Sequence, residues 1–178
     1  NEAIGGAMML SALEALQEDS ATEVIVLISK PPAESVARRV LDQVRLSSKT
    51  AFVCFLGASQ SEYLPFRERS NLFFASTLQE AALLAARAAG ASLPDPDTYI
   101  SAENQALDAL AAPLRLQRKP DQGSIRALFS GGTLCYEAQV IWRDMLGDPV
   151  LSNAPLRQEE RLPDSSRSQG HTALDLGE

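Results

Sequence analysis

The residues best suited to bind a ligand form a short turn after an apolar run: Ser130, Gly131, Gly132 and Thr133. The preceding run, 125–129, predicts a buried strand, and the residues from Thr133 onward favour a helix. Such a turn leaves the first N–H groups of the helix unpaired at the positive end of its dipole, which suits phosphate or carboxylate. We interpret these four residues as a phosphate-binding site. A purely architectural strand-to-helix turn is an equally good interpretation of the two glycines.

The same turn excludes two other kinds of site. It is neither G-x-G-x-x-G nor a Walker A loop, so the sequence indicates neither dinucleotide nor P-loop nucleotide binding. Glu137 and Asp175 are candidate acid or base groups, although a helix-surface carboxylate and a strand-end carboxylate are the stronger interpretations. His171, the single histidine, is better interpreted as a strand-end residue than as a catalytic one. The residues identify no catalytic group, and no metal site is predicted.

Composition narrows the class of protein. The chain has 178 residues, a formal net charge of −7 and 45% hydrophobic residues, so a sizeable core is possible. The acidic balance argues against nucleic acid or an anionic membrane as the main partner. Cys54 and Cys135 lie in or beside apolar segments, which predicts buried reduced thiols. No apolar run reaches about 18 residues, so we expect a soluble, cytoplasmic protein.

The elements that must position the turn follow an alternating α/β pattern. Apolar runs at 23–29, 50–56 and 72–75 predict strands, the first of them as a central strand buried on both faces. Helices are predicted before, between and after these strands, and Ser76 or Thr77 caps the last of them. Residues 93–97 predict a linker, 101–116 a helix, 148–152 an edge strand, 155–170 a surface loop and 172–176 a final strand. The pattern predicts doubly wound α/β units with parallel sheets, and an incomplete second unit is compatible with it.

Two segments resemble the succinyl-CoA synthetase superfamily, which includes ATP-citrate lyase, and most closely its FdrA branch of acyl-CoA synthetase-like proteins. Residues 4–28, I-G-G-A-M-M-L-S-A-L-E-A-L-Q-E-D-S-A-T-E-V-I-V-L-I, look like the start of the ligase domain of the α subunit. Residues 129–138, F-S-G-G-T-L-C-Y-E-A, are similar to a β-subunit segment and are typical of FdrA proteins. The resemblance implies two flavodoxin-like units and a fragment whose N-terminal CoA-binding domain lies before Asn1.

The resemblance also implies domain boundaries and partners. It assigns residues 1–93 to an α-like ligase-CoA domain, 94–118 to a linker and helix, and 119–178 to a β-like ligase domain. The expected ligand is a small-molecule phosphate or acyl phosphate, with CoA and a nucleotide as cofactors of the full-length protein. We expect a homodimer or a hetero-oligomer, and neither nucleic acid nor a membrane as partner.

The chain departs from the family where the family carries phosphate on a histidine. The corresponding loop, 58–71, contains no histidine, and I-S-K-P-P at 28–32 stands where the family has G-E-I-G-G. Proline lacks the N–H that would bind an oxyanion, although Lys30 could supply a point charge in support. Three functions stay open: an acyl-CoA synthetase-like enzyme, a subunit of an oxamate-type carbamoyltransferase in purine (allantoin) catabolism, and a non-catalytic assembly or regulatory domain.

Overall fold

The chain is described here from a computed structural model that covers residues 6–58, 63, 66 and 71–177. It divides into two compact units, one ending at Tyr99 and the other beginning at Ile100. Each unit contains a three-stranded parallel sheet flanked by helices, so the predicted α/β class with flavodoxin-like, doubly wound units is confirmed. The expectations for residues 1–5 and for most of loop 58–71 lie outside the described residues.

The first unit runs through six elements in chain order: α1 Ala7–Glu18, β1 Val24–Ser29, α2 Glu34–Val44, β2 Thr50–Phe55, β3 Leu72–Phe74 and α3 Leu78–Ala88. Its strands lie in the order β1-β2-β3. Residues of α1 and α2, such as Leu13 and Leu41, form a core with Leu27 and Val53 of the sheet. Phe52 points to the opposite face by strand alternation, and α3 packs against β1 and β2.

The prediction that residues 23–29 form a central strand is wrong. The central strand is β2, all of whose residues except Thr50 are buried, while β1 lies at an edge. Val26 and Ile28 of β1 are 39% and 43% exposed, so the face of the strand that they share is only partly covered. A continuous β-branched run fits a doubly covered strand, but it also fits an edge strand with an apolar open face.

Helix α4, Pro96–Gln117, begins earlier than the predicted 101–116 and absorbs the end of the predicted linker. Proline is tolerated in the first turn of a helix, where its missing N–H has no intrahelical acceptor to lose. Asp95 stabilises that turn by accepting hydrogen bonds from the backbone N–H and the hydroxyl of Thr98, at 3.0 and 2.7 Å. The predicted linker is therefore a helix start, and no residue of α4 is buried.

The second unit contains β4 Arg126–Phe129, α5 Gly132–Leu146, β5 Val150–Ser152, a 3-10 turn Gln158–Glu160 and β6 His171–Asp175. Its strand order is β4-β6-β5, so the last strand in sequence is the central one. Helix α5 covers one face, where Cys135 packs with Val150 and Ala173. The predicted buried strand at 125–129 is instead an edge strand, and Leu128 is 69% exposed.

Two smaller expectations were tested by the same elements. Both cysteines are buried, reduced thiols, as predicted. None of the helices among the described residues combines the length and the apolar character that crossing a membrane requires.

Candidate functional site

The turn between β4 and α5 connects a strand to a helix, as the sequence predicted, and it lies at the carboxyl edge of the second sheet. Gly131 is the N-cap of α5, with an extended backbone (φ −165°, ψ 135°) and no side-chain cap. A Cβ added at Gly131 would meet no atom within 4 Å, so the side-chain direction of Gly131 is open, whereas Gly177 packs against the backbone of Ser130 and Gly131. Ser130, Gly132 and Thr133 flank it, and both polar side chains belong to exposed residues. The turn therefore presents the backbone N–H donors of a helix start that has no side-chain cap.

The charge pattern of the helices favours an anion at α5 over one at α2, α3 or α4. Those three helices carry Glu34, Glu80 and Asp97 in their first turns, whereas the first turn of α5 has no acidic residue. A carboxylate near a helix N-terminus already balances the dipole and repels a second anion. The first turn of α5 supplies no such carboxylate of its own.

Asp175, at the end of the central strand β6, brings a carboxylate to the same edge. It pairs in register with Phe129 and is 3% exposed. Its Oδ1 accepts a hydrogen bond from the N–H of Gly177 at 3.0 Å, and Gly177 lies so close to Ser130 that an added Cβ would be 2.5 Å from the Ser130 carbonyl oxygen. Its Oδ2 is buried and has no hydrogen-bond partner among the described residues. The carboxylate is thus held beside the start of α5 with one oxygen unused.

A polar network fixes the backbone around Asp175. The side-chain amide of Asn153 donates to the carbonyl of Asp175 at 2.8 Å and accepts from its N–H at 2.9 Å. Ser152, fully buried, accepts from the N–H of Ala154 at 3.0 Å, and the amide of Gln139 on α5 donates to the Ala154 carbonyl at 3.2 Å. These bonds tie the ends of β5 and β6 to α5, so the position of the carboxylate is set by the fold.

Sequence reasoning did not identify Ser152, Asn153 or Gln139, and it placed Asp175 as a strand-end carboxylate without its burial. The available signal was an aspartate inside the apolar run T-A-L-D-L at the carboxyl end of a strand, where parallel sheets place their ligands. Small polar residues after β5 read as an ordinary loop.

Of the other predicted site residues in the second unit, His171 lies away from the turn. His171 stands at the opposite end of β6 from Asp175, about 13 Å along the strand. Its Nδ1 accepts from the N–H of Ile125 at 3.1 Å, which fits the strand-end interpretation. Glu137 is half-buried on α5. Lys30 is exposed and follows β1 in the other unit.

The carboxyl edge of the first sheet has a different character. One cavity of about 450 Å³ is lined mostly by apolar groups, including Met9, Val36, Val40 and Phe55. A second, of about 500 Å³, lies beside the start of α2, where Glu34 pairs with Arg38 at 2.8 Å. Pro31 and Pro32 line that cavity and supply no N–H donor. Among the described residues, the proline-containing start of α2 therefore offers fewer backbone N–H donors than the start of α5.

Two further observations bear on the chemistry. Among the described residues, no group of three or more His, Cys, Asp or Glu side chains is placed to hold a metal ion. Burial raises the pKa of Tyr136 on α5, and the nearby charge of Arg143 opposes that rise.

The sequence of the chain is similar to that of a protein of Escherichia coli. No family model matches the chain. The chain is 42% identical over its 178 residues to the uncharacterized protein YahF of Escherichia coli strain K12, and it spans 33% of the length of that protein. The segment described here therefore corresponds to about a third of its relative.

Proposed function

We propose that the chain is an acyl-CoA synthetase-like part of a larger protein that binds phosphate or an acyl phosphate at the start of α5. The resemblance to the succinyl-CoA synthetase superfamily suggests this ligand, and CoA and a nucleotide would be cofactors of the full-length protein. The observation that carries the proposal is the uncapped N-terminus of α5, with open space at Gly131 and no acidic residue in the first turn.

The physical argument is independent of the resemblance. Backbone N–H groups at a helix start bind an anion with about 0.3 to 1 kcal/mol of dipole stabilisation, and up to about 2 kcal/mol where the site is partly buried. Ser130 and Thr133 add hydroxyl groups on either side of the glycines. A phosphate group has enough acceptor oxygens to use several of these donors at once.

The chemistry proposed does not pass through a phosphohistidine. The single histidine, His171, lies at the amino end of β6, whereas the α5 N-terminus lies at the carboxyl edge of the sheet. Incubation of the chain with a labelled phosphodonor should leave His171 without an acid-labile, base-stable phosphate. Labelling of His171 would contradict this part of the proposal.

A second candidate function is a subunit of an oxamate-type carbamoyltransferase. Carbamoyl phosphate needs an anion site but no phosphohistidine, so the position of His171 and the histidine-free loop 58–71 favour this candidate. An activity screen of the full-length protein with CoA, nucleotide and carbamoyl phosphate separates the two. A non-catalytic assembly domain remains the outcome if none of them is used.

The anion site is tested by titrating the isotopically labelled chain with inorganic phosphate and acetyl phosphate while amide chemical shifts are recorded. The largest shifts are expected at the N–H groups of Gly132 and Thr133. Gly132 is not one of the described glycines with positive φ, so valine fits its backbone and should obstruct the anion more than it harms the fold. Gly123→Val is the matched control, because a Cβ at Gly123 meets no atom within 4 Å and Gly123 precedes the other end of β4. Unchanged affinity in folded Gly132→Val would make this turn purely architectural.

A further inference from the structure

The first unit contains an apolar cavity that the proposed anion site does not use. Its volume is about 450 Å³. Ser29 and Phe55, the last residues of β1 and β2, line one side of it and lie opposite each other in the parallel register. Parallel α/β sheets bind their ligands at this edge, outside the carboxyl ends of the strands. The cavity therefore lies where this class of fold takes its ligands.

Two helices form most of the remaining lining. Helix α2 contributes the buried residues Val36 and Val40, and the first turn of α1 contributes Met8 and Met9. The start of α1 packs closely on α2, because a Cβ added at Gly6 would lie 2.8 Å from Cγ1 of Val36. The cavity is thus bounded mainly by packed strands and helices.

The chemistry of the lining favours an apolar ligand. Among the described residues, no charged side chain lines the cavity, and Ser29 carries the single polar side chain. A charged ligand would therefore lose hydration without gaining an ion-pair partner. Methionine side chains are flexible and polarizable, so they adapt to apolar groups of different shape. Met8 is 85% exposed, so an apolar molecule can reach this part of the lining from solvent.

The size of the cavity indicates a small molecule. Nine described residues line it, far fewer than the roughly 20–30 that each partner contributes to a stable protein interface. Its volume falls in the range of small-molecule sites. An apolar cavity of about 150 Å³ holds benzene, so this larger and partly open one has room for an aliphatic chain of about six to ten carbons.

We propose that this cavity binds a small molecule through an aliphatic chain of about six to ten carbons. The chain lies against Val36, Val40 and Phe55. The polar end of the molecule lies at Ser29, whose hydroxyl donates to the carbonyl of Lys30 and whose oxygen can still accept a hydrogen bond. The inference goes beyond the anion site at α5 and does not rest on it, because the cavity belongs to the other unit.

A series of straight-chain alcohols tests this assignment on the full 178-residue chain. Hexanol, heptanol and octanol differ by one methylene each and carry the same neutral head group. Dissociation constants are measured from the methyl chemical shifts of protein that is isotopically labelled at methionine and valine. Each added methylene should tighten binding about fourfold. The largest shifts should lie at Met8, Met9, Val36 and Val40.

Val40→Phe places a larger side chain in the cavity. It should weaken octanol binding about 15-fold, which is the equivalent of two methylenes. Val26→Phe is the matched control, because Val26 is not among the lining residues and by strand alternation points to the opposite face of β1 from Leu27. The control should bind octanol within about twofold of wild type.

The outcomes decide this proposal independently of the anion site. Affinity that does not rise with chain length, or shifts that fall outside the cavity methyl groups, would overturn it. If Val40→Phe does not fold, the wild-type series still decides, because it needs no variant. Phosphate binding is read at Gly132 and Thr133 in the second unit, so either proposal can fail while the other stands.

Discussion

Replacing Gly131 by serine should stabilise the second unit and weaken anion binding at the same time. Gly131 is the N-cap of α5, its extended backbone suits any residue, and an added Cβ meets no atom within 4 Å. A serine hydroxyl there can accept from an N–H of the first turn of the helix. The same arrangement exists at the start of α3, where the hydroxyl of Thr77 accepts from the N–H of Glu80 at 3.1 Å.

The expected change in the free energy of unfolding is estimated from the added cap, with the alanine variant as the control. Gly131→Ala adds the same Cβ but no oxygen, so the serine variant should be more stable than the alanine variant by about 1 kcal/mol. For a unit of this size that difference corresponds to about 4–8 °C in melting temperature. Against wild type, serine should gain only a few tenths of a kcal/mol. Anion affinity should fall about 2- to 5-fold in the serine variant, because the hydroxyl competes for the donors.

Trp142 makes the measurement specific to the second unit. It is the single tryptophan of the sequence, lies on α5 and packs against Phe129 with ring centroids 6.3 Å apart. Its fluorescence reports melting of that unit, while phosphate affinity is measured by amide shifts on the same samples. A serine variant that is stabilised but binds phosphate like wild type would show that the anion does not use these N–H groups. A serine variant no more stable than the alanine variant would show that the donors already have partners.

Three further outcomes are expected. Gly177→Ala should destabilise the second unit by about 1–3 kcal/mol in a urea titration followed by Trp142 fluorescence, because its Cβ would lie 2.5 Å from the Ser130 carbonyl oxygen; wild-type stability would contradict that packing. Thr77→Ala should cost about 1 kcal/mol of stability by removing the α3 cap, with Thr77→Ser as the control that keeps it. Burial raises the pKa of Tyr136, so its protonated form stabilises the fold below about pH 10 and that contribution is lost as pH rises through the raised pKa. Melting temperatures of wild type and Tyr136→Phe across that range should therefore diverge, and parallel curves would refute the prediction.

The helices and strands could be predicted from the sequence because each is marked by a local residue pattern. Thr77 followed by Glu80 marks the start of α3, and the apolar runs mark every strand of the first sheet. Whether a strand is central or at an edge could not be predicted, because an apolar side chain does not indicate whether another element covers it. Val26 and Ile28 are examples, because both are apolar and yet partly exposed.

Only part of the candidate site, the turn before α5, could be predicted from the sequence. The glycines gave the turn and the helix start, because few residues other than glycine leave that space open. The burial of Asp175 depends on β6 lying between β4 and β5, a long-range pairing that periodicity does not encode. Asn153 likewise gains its role from a strand 22 residues away in sequence.

The strand order of the second sheet bears on how the chain folds while it is being made. In the first sheet each new strand can pair with the strand that precedes it, since the order β1-β2-β3 follows synthesis. In the second, β4 and β5 pair with β6 and not with each other, so neither has its sheet partner until residues 171–175 have been translated. At about 5–20 residues per second, the 41 residues between β4 and His171 take seconds to emerge. During that interval the edge of β4 is open, so a chaperone that shields exposed strand edges should stay bound there for longer than at β1, whose partner β2 follows sooner in the chain.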